Sequence, residues 1–145
     1  MTDAVRPREA ANTSAHDIVI MTGPAGAGRS TAIRALEDLG FEAIDNLPLS
    51  FLPRLFAGPP LTRPVVVGVD ARNREFAIDR LTALLEEIAG LVGRAPTLVY
   101  LDCDAGTLIR RYSETRRRHP LSPHETPQVG IDREISLLAP LRARA

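Results

Sequence analysis

The feature that most constrains the fold of this 145-residue chain is an alternation of short apolar runs with amphipathic stretches, beginning at Asp17. The amphipathic stretches, of which the longest is Phe76 to Val92, have the three-and-four spacing of helices that pack on a sheet. The apolar runs predict buried strands at Ile18 to Met21, Phe41 to Ile44, Val65 to Val69 and Leu98 to Leu101. Strands that alternate with helices predict an α/β fold, a parallel β-sheet with helices on both faces.

The composition is that of an ordinary globular domain, with 44% apolar and 25% charged residues. Because 18 basic and 18 acidic side chains cancel, no overall field attracts nucleic acid or an anionic membrane, so an anion site has to be local. The single cysteine and the shortness of the apolar runs predict a cytoplasmic location and no membrane span. Residues 1–16 are polar and aperiodic, which predicts a flexible N-terminal tail before one domain at 17–145.

A glycine-rich segment joins the first predicted strand to the first predicted helix. It matches the pattern G-x-x-x-x-G-basic-[ST] and consists of Gly23, Pro24, Ala25, Gly26, Ala27, Gly28, Arg29 and Ser30. Glycines let backbone N–H groups turn inward around phosphate oxygens, and the helix that starts near Gly28 adds its positive end. The Ser30 hydroxyl is suited to ligate Mg²⁺. The segment therefore predicts a nucleotide-binding loop; a tight turn without a ligand is the alternative.

Arg29 occupies the position where this pattern has lysine, and all 18 basic residues of the chain are arginine. A guanidinium is broad and planar, so it does not replace a compact ammonium without consequence at the β- and γ-phosphates. Two explanations stay open. Either lysine was replaced throughout the chain and function was kept, or catalysis was lost and weak binding remains.

An acidic residue follows each of the other predicted strands, at the edge of the sheet where ligands bind in such folds. Asp70 is predicted to hold the water shell of Mg²⁺ opposite Ser30, and Arg29 and Asp70 are the candidate catalytic residues. Asn73 is a candidate contact to a base or ribose. The alternative for Asp70 and Asn73 is a helix cap.

Asp45 and Asn46 precede Pro48, so they predict either a cap of the following helix or a contact to substrate. Farther along the chain, arginines resemble the lid of small-molecule P-loop kinases, in which guanidinium groups neutralise a transferring phosphoryl group. The lid candidates are Arg110, Arg111, Arg116 and Arg117. A solvated basic surface is the alternative.

Four segments in order carry a resemblance to a known family: Gly23 to Ser30, Leu36 to Pro48, Asp70 to Asn73 and Leu108 to Leu121. On these, residues 17–145 resemble the N-terminal P-loop nucleotide-binding domain of the RapZ/YvcJ family of RNase adaptor proteins. The resemblance implies a P-loop NTPase fold of the kinase-like type. It also implies that ATP binds at Gly23 to Ser30, that GTP binds at Asp70, Ala71, Arg72 and Asn73, and that both are hydrolysed.

Members of this family are longer, and their C-terminal domain, which carries RNA binding, is absent here, so RNA binding is not expected. A nucleoside triphosphate, a regulatory protein partner and a second copy of the chain are the candidate partners. Three functions stay open: a regulatory NTPase that hydrolyses ATP and GTP slowly, a small-molecule kinase, and a non-catalytic module with a degenerate loop. Phosphate release without an acceptor distinguishes the first two, and binding without turnover identifies the third.

Overall fold

The computed structural model describes residues 16–70, 76–115, 121 and 126–145. The predicted tail, except for residue 16, lies outside these ranges, as do Ala71 to Asn73, Arg116 and Arg117. The strands in the described ranges are β1 (Ile18–Thr22), β2 (Glu42–Asp45), β3 (Val65–Gly68) and β4 (Thr97–Tyr100). The helices are α1 (Arg29–Asp38), α2 (Leu52–Ala57), α3 (Ile78–Val92), α4 (Ala105–Thr115) and α5 (Pro127–Arg144), with a 3-10 turn at Leu49–Phe51.

The sheet has the strand order β2-β3-β1-β4, and each neighbouring pair is parallel. β1 is an interior strand, with Ile18 opposite Val65 of β3 and Val19 opposite Thr97 of β4. The runs of β-branched residues in β1 and β3 are therefore covered on both faces, as a parallel sheet requires. The predicted parallel α/β sheet is confirmed.

Alternate residues of the two interior strands belong to two different apolar clusters, one on each face of the sheet. Met21 and Val66 pack with Ile33 of α1. Ile20 and Val67 lie in the opposite cluster, which contains residues from α2, α3 and α5. Helices thus cover both faces, and the carboxyl ends of the strands are left for the loops that form the site.

The last helix is longer than its apolar periodicity indicates. The periodicity predicts a helix over Ile131 to Leu141, but α5 begins at Pro127, continues through Pro140 and ends at Arg144. Proline fits the first turn of a helix, because the N–H that it lacks has no intrahelical partner there. None of the helices in the described ranges is long and apolar enough to cross a membrane.

Candidate functional site

The glycine-rich loop leaves the carboxyl end of β1 in close contact with the chain that follows β4. Gly23 has φ +148, and a Cβ at this position would lie 2.4 Å from the carbonyl oxygen of Leu101. Leu101 in turn donates its N–H to the Thr22 carbonyl at 2.9 Å. Only glycine fits both the conformation and the space at this point, so Gly23 fixes where the loop begins.

The loop ends at an uncapped helix N-terminus. Gly28 is the N-cap of α1 in a left-handed conformation, with φ 97, and no side chain caps the helix. The first turn of α1 also contains no acidic residue. The N–H groups of this turn therefore keep the partial positive charge that attracts anions at helix N-termini.

A cleft of about 330 Å³ lies over this helix end. It is lined by Pro24, Ala25, Gly26, Gly28, Arg29, Ser30, Thr31 and Arg111. The Arg111 guanidinium, from α4, donates to the carbonyl oxygen of Gly26. Of the lid candidates, the structure brings Arg111 to the loop, whereas Arg110 is exposed and does not line the cleft.

Arg29 is paired with Asp45, the last residue of β2, and with Asp70, which lies two residues after β3. Its Nη2 donates to Oδ2 of Asp70 at 2.8 Å, and its Nε lies 3.6 Å from Oδ1 of Asp45. The side chain of Arg29 is 11% exposed and that of Asp70 is 1% exposed, whereas Asp45 is 43% exposed. Arg29 Nε is buried and has no hydrogen-bond partner among the described residues. The guanidinium thus makes one strong contact and keeps an unused donor.

Helix capping does not explain the acidic residues at these strand ends. Helix α3 begins at Ile78 with Ala77 at its N-cap, so the alternative prediction that Asp70 caps it is wrong. The 3-10 turn after β2 has Pro48 at its N-cap and no side-chain cap, so Asp45 and Asn46 do not cap it either. Asp45 and Asp70 instead pair with Arg29, and Asn46 has a left-handed backbone with φ 59.

Sequence reasoning missed Glu134, which is 1% exposed and accepts the Ala25 N–H at 2.8 Å. Its position in α5 carried a signal. Glu134 has the three-and-four spacing from Ile131, Leu138 and Leu141, which are all fully buried, so it lies on the buried face of α5. An acidic residue on an apolar helix face is the unusual feature that could have identified it.

Helix α4, which carries Arg111, is capped by Asp104. The Asp104 carboxylate accepts the backbone N–H and the hydroxyl of Thr107, both at 2.8 Å. These hydrogen bonds, the backbone one first, lower the pKa of Asp104 from its ordinary value of 3.8. The cap therefore stabilises the folded chain above pH 3.8, and this contribution is lost as the pH falls through the lower folded pKa.

We expect Asp104→Ala to lower the Tm of the chain by a few degrees at neutral pH, because it removes the cap of α4. At a pH below the folded pKa of Asp104, where the cap is protonated, the difference from wild type should shrink. Thermal unfolding at both pH values measures this, with the exposed Asp38→Ala as the control. An equal loss of Tm at both pH values would contradict a role for the ionised carboxylate.

The C-terminal end of α5 is joined to the segment after β4. Arg142 donates to Oδ2 of Asp102, with Nη2 at 2.8 Å. Burial is the main cause that raises the pKa of Tyr100 in the adjoining strand, with the Asp102 charge second. No group of three or more His, Cys, Asp or Glu side chains suited to a metal ion occurs in the part of the chain that the structure describes.

Residues 16–145 match the RapZ-like N-terminal domain. The chain belongs to this family. A nucleotide-binding protein of Cereibacter sphaeroides strain ATCC 17025 is 59% identical over 131 residues, which cover 88% of this chain and 42% of the relative. A nucleotide-binding protein of Dinoroseobacter shibae is 59% identical over 128 residues, covering 88% of this chain and 43% of the relative. This RapZ-like chain thus spans less than half the length of these curated relatives.

Solved structures of P-loop kinases share the fold of this RapZ-like domain. Bacillus subtilis YorR, solved in complex with phosphorylated GDP, aligns with a TM-score of 0.62 at 14% identity, covering 88% of this chain and 80% of that one. Shikimate kinase from Bacteroides thetaiotaomicron aligns with a TM-score of 0.60 at 17% identity, covering 89% and 83%. The predicted kinase-like P-loop fold is confirmed.

Proposed function

We propose that this chain binds a nucleoside triphosphate, ATP or GTP, with Mg²⁺ at the loop from Gly23 to Ser30, and hydrolyses it slowly in a regulatory role in the cytoplasm. The observation that carries the proposal is the uncapped N-terminus of α1, which opens into the cleft beneath a glycine-rich loop. The names of the relatives, which describe them as nucleotide-binding proteins, support the same ligand class.

The charges around the loop suit a polyphosphate. Arg111 lines the cleft from α4, and Arg29 lines it from the first residue of α1. The Arg29 guanidinium lines the cleft while it keeps its contact to Asp70, so its positive charge lies where it can attract an anion. An anion bound here would be contacted by backbone dipoles and by cations together.

The residues at the loop also fit Mg²⁺, which keeps several waters and takes few protein ligands when it binds with substrate phosphates. Ser30 supplies an exposed hydroxyl at the wall of the cleft, and Asp70 supplies a carboxylate at the adjacent strand end. Bound Mg²⁺ would neutralise charge on the β- and γ-phosphates. Ser30 would ligate the ion directly, and Asp70 would accept a hydrogen bond from a water in its shell.

Arg29 is the reason to expect slow turnover. Its Nη2 is directed at Asp70, and the planar guanidinium cannot contact the phosphates as a compact lysine ammonium does. Ground-state binding relies mainly on the loop and the helix end, whereas hydrolysis relies on preorganised cations at the phosphate that leaves. We therefore expect arginine at this position to lower the rate more than the affinity.

Ser30→Ala should weaken the binding of Mg²⁺-nucleotide by about tenfold or more, since even outer-shell partners of a metal contribute about 10–100-fold to its affinity. Binding of metal-free nucleotide should change much less. Titration calorimetry with ATP and with GTP, each with Mg²⁺ and with EDTA, measures the difference and the base preference together.

Thr31→Ala is the matched control, because Thr31 is the next residue, has a hydroxyl and also lines the cleft. Thr31→Ala should lower the affinity for nucleotide by a similar factor with and without Mg²⁺. Equal losses for Ser30→Ala in both conditions would refute metal ligation by Ser30. A wild-type chain that binds neither nucleotide would refute the proposed function.

One observation favours a second function, a small-molecule phosphotransferase. The Asp45 carboxylate is 43% exposed and lies beside Arg29, where it could bind a hydroxyl acceptor. Asp45→Asn should leave phosphate release without an acceptor unchanged if the chain is an NTPase. Phosphoryl transfer to an added alcohol, and its loss in Asp45→Asn, would support the transferase instead.

A further inference from the structure

The glycine-rich loop accepts support from a buried acidic residue of α5, Glu134, which hydrogen-bonds to its backbone. Asp70 and Glu134 are the buried charged residues among those that the structure describes, and Glu134 is separated from its partner Ala25 by 109 positions. A carboxylate is costly to bury, and only hydrogen bonds or ion pairs offset that cost. An apolar side chain would serve packing better on this face of α5. The buried carboxylate therefore suggests a role beyond holding the helix in place.

The hydrogen bond to Glu134 helps to fix the backbone of the loop. Glu134 Oε1 accepts the N–H of Ala25, while Arg111 donates to the carbonyl oxygen of the next residue, Gly26. Two polar backbone groups on neighbouring residues of the loop are thereby held by side chains of other helices. Because a loop that is already ordered loses less entropy when it binds, this arrangement prepares the loop for an anion.

An apolar cluster supports the same connection. Ala25 packs with Leu108 and Tyr112 of α4 and with Ile131 of α5. Helices α4 and α5 thus meet at the loop through both apolar and polar contacts. A shift of α5 relative to the sheet would act on the backbone of Ala25 directly.

We propose that Glu134 is a positioning residue for nucleotide binding: it fixes the Ala25 N–H, so that the loop is ordered before the nucleotide arrives. The inference rests on the proposed function, since it concerns the same loop. It requires the reach of the side chain and an acceptor oxygen.

Three variants separate reach from charge. Glu134→Gln keeps the length and a carbonyl acceptor, so nucleotide binding should stay within about threefold of wild type. Glu134→Asp keeps the charge but is one methylene shorter, and Glu134→Met keeps the length without the acceptor. Both should weaken binding by about tenfold, equivalent to about 1.4 kcal/mol. Asp132→Asn, which removes an exposed charge from the same helix, is the matched control and should not change binding.

The probe is a fluorescent ATP analogue with Mg²⁺, titrated at a temperature where circular dichroism shows each variant to be folded. The ¹H–¹⁵N resonance of the Ala25 amide, recorded without nucleotide, should move in Glu134→Asp and Glu134→Met and stay in place in Glu134→Gln. If Glu134→Met does not fold, the comparison of Glu134→Asp with Glu134→Gln still tests whether the reach of the side chain determines nucleotide affinity.

The inference is overturned if Glu134→Asp binds as tightly as wild type, or if Glu134→Gln binds as weakly as Glu134→Asp. It is also overturned if the Ala25 resonance moves while affinity is kept, because the loop contact would then be structural only. Absence of binding by the wild-type chain would refute the proposed function, and the inference with it.

Discussion

Replacing Arg29 by alanine is expected to lower the free energy of unfolding by about 3 kcal/mol, the lower end of the range for removing one partner of a buried ion pair. The loss arises because the Asp70 side chain, 1% exposed, loses the guanidinium that lies 2.8 Å away. Urea denaturation measures the change. Arg34→Ala, which removes an exposed arginine from the same helix, should change stability by less than about 0.5 kcal/mol.

If the loss comes from burying the Asp70 carboxylate without the guanidinium, the double variant Arg29→Ala with Asp70→Asn should recover much of it. An Arg29→Ala variant as stable as wild type would show that Asp70 does not depend on the guanidinium.

Arg29→Lys tests function instead of stability. If function was kept when lysine was lost, phosphate release should change by less than about tenfold, or 1.4 kcal/mol of barrier. Recovery from an undetectable rate would identify a decayed site.

Gly23→Ala should destabilise the chain as strongly as any single substitution in the loop and abolish nucleotide binding in the molecules that still fold. At φ +148 an alanine is strained by about 1–3 kcal/mol, and its Cβ would lie 2.4 Å from the carbonyl oxygen of Leu101. The contact is with backbone, so relief requires that the start of the loop and the chain after β4 move apart.

Substitutions at two other glycines separate the cost of the backbone conformation from the cost of the close contact. Gly40 has φ +101, but a Cβ added there would meet nothing within 4 Å, so Gly40→Ala should show the conformational strain alone. Gly90 lies in α3 with a helical backbone and open space, so Gly90→Ala should stabilise the chain by up to about 1 kcal/mol. Similar losses for Gly23→Ala and Gly40→Ala would show that the Leu101 contact relaxes at no cost.

The elements of this fold are largely predictable from its sequence because their signals are local. The four strands lie within one or two residues of the apolar runs that predict them, and Gly93 ends α3 in a left-handed conformation as a terminal glycine does. The loop from Gly23 to Ser30 is equally predictable. The strand order is not predictable, since a single apolar run does not indicate which strand it pairs with.

The electrostatics of the site depend on that strand order. Arg29 reaches Asp70 and Asp45 because β3 and β2 follow β1 on one side of the sheet, whereas the sequence alone predicts only that Asp70 lies opposite Ser30. Glu134 was missed for a related reason. Its signal on α5 was present, but its partner is a backbone N–H, a group that leaves no trace in a sequence.

The interior position of β1 has a consequence for synthesis. The loop is translated early, yet β1 cannot enter the sheet until β3 and then β4 have left the ribosome, and pairings so distant in sequence form slowly. The hydrogen bond between Ala25 and Glu134, which are 109 positions apart in the sequence, forms later still. A nascent chain is therefore expected to reach its full affinity for nucleotide only late, when α5 docks, and truncated or stalled products should bind the ligand more weakly than the finished domain.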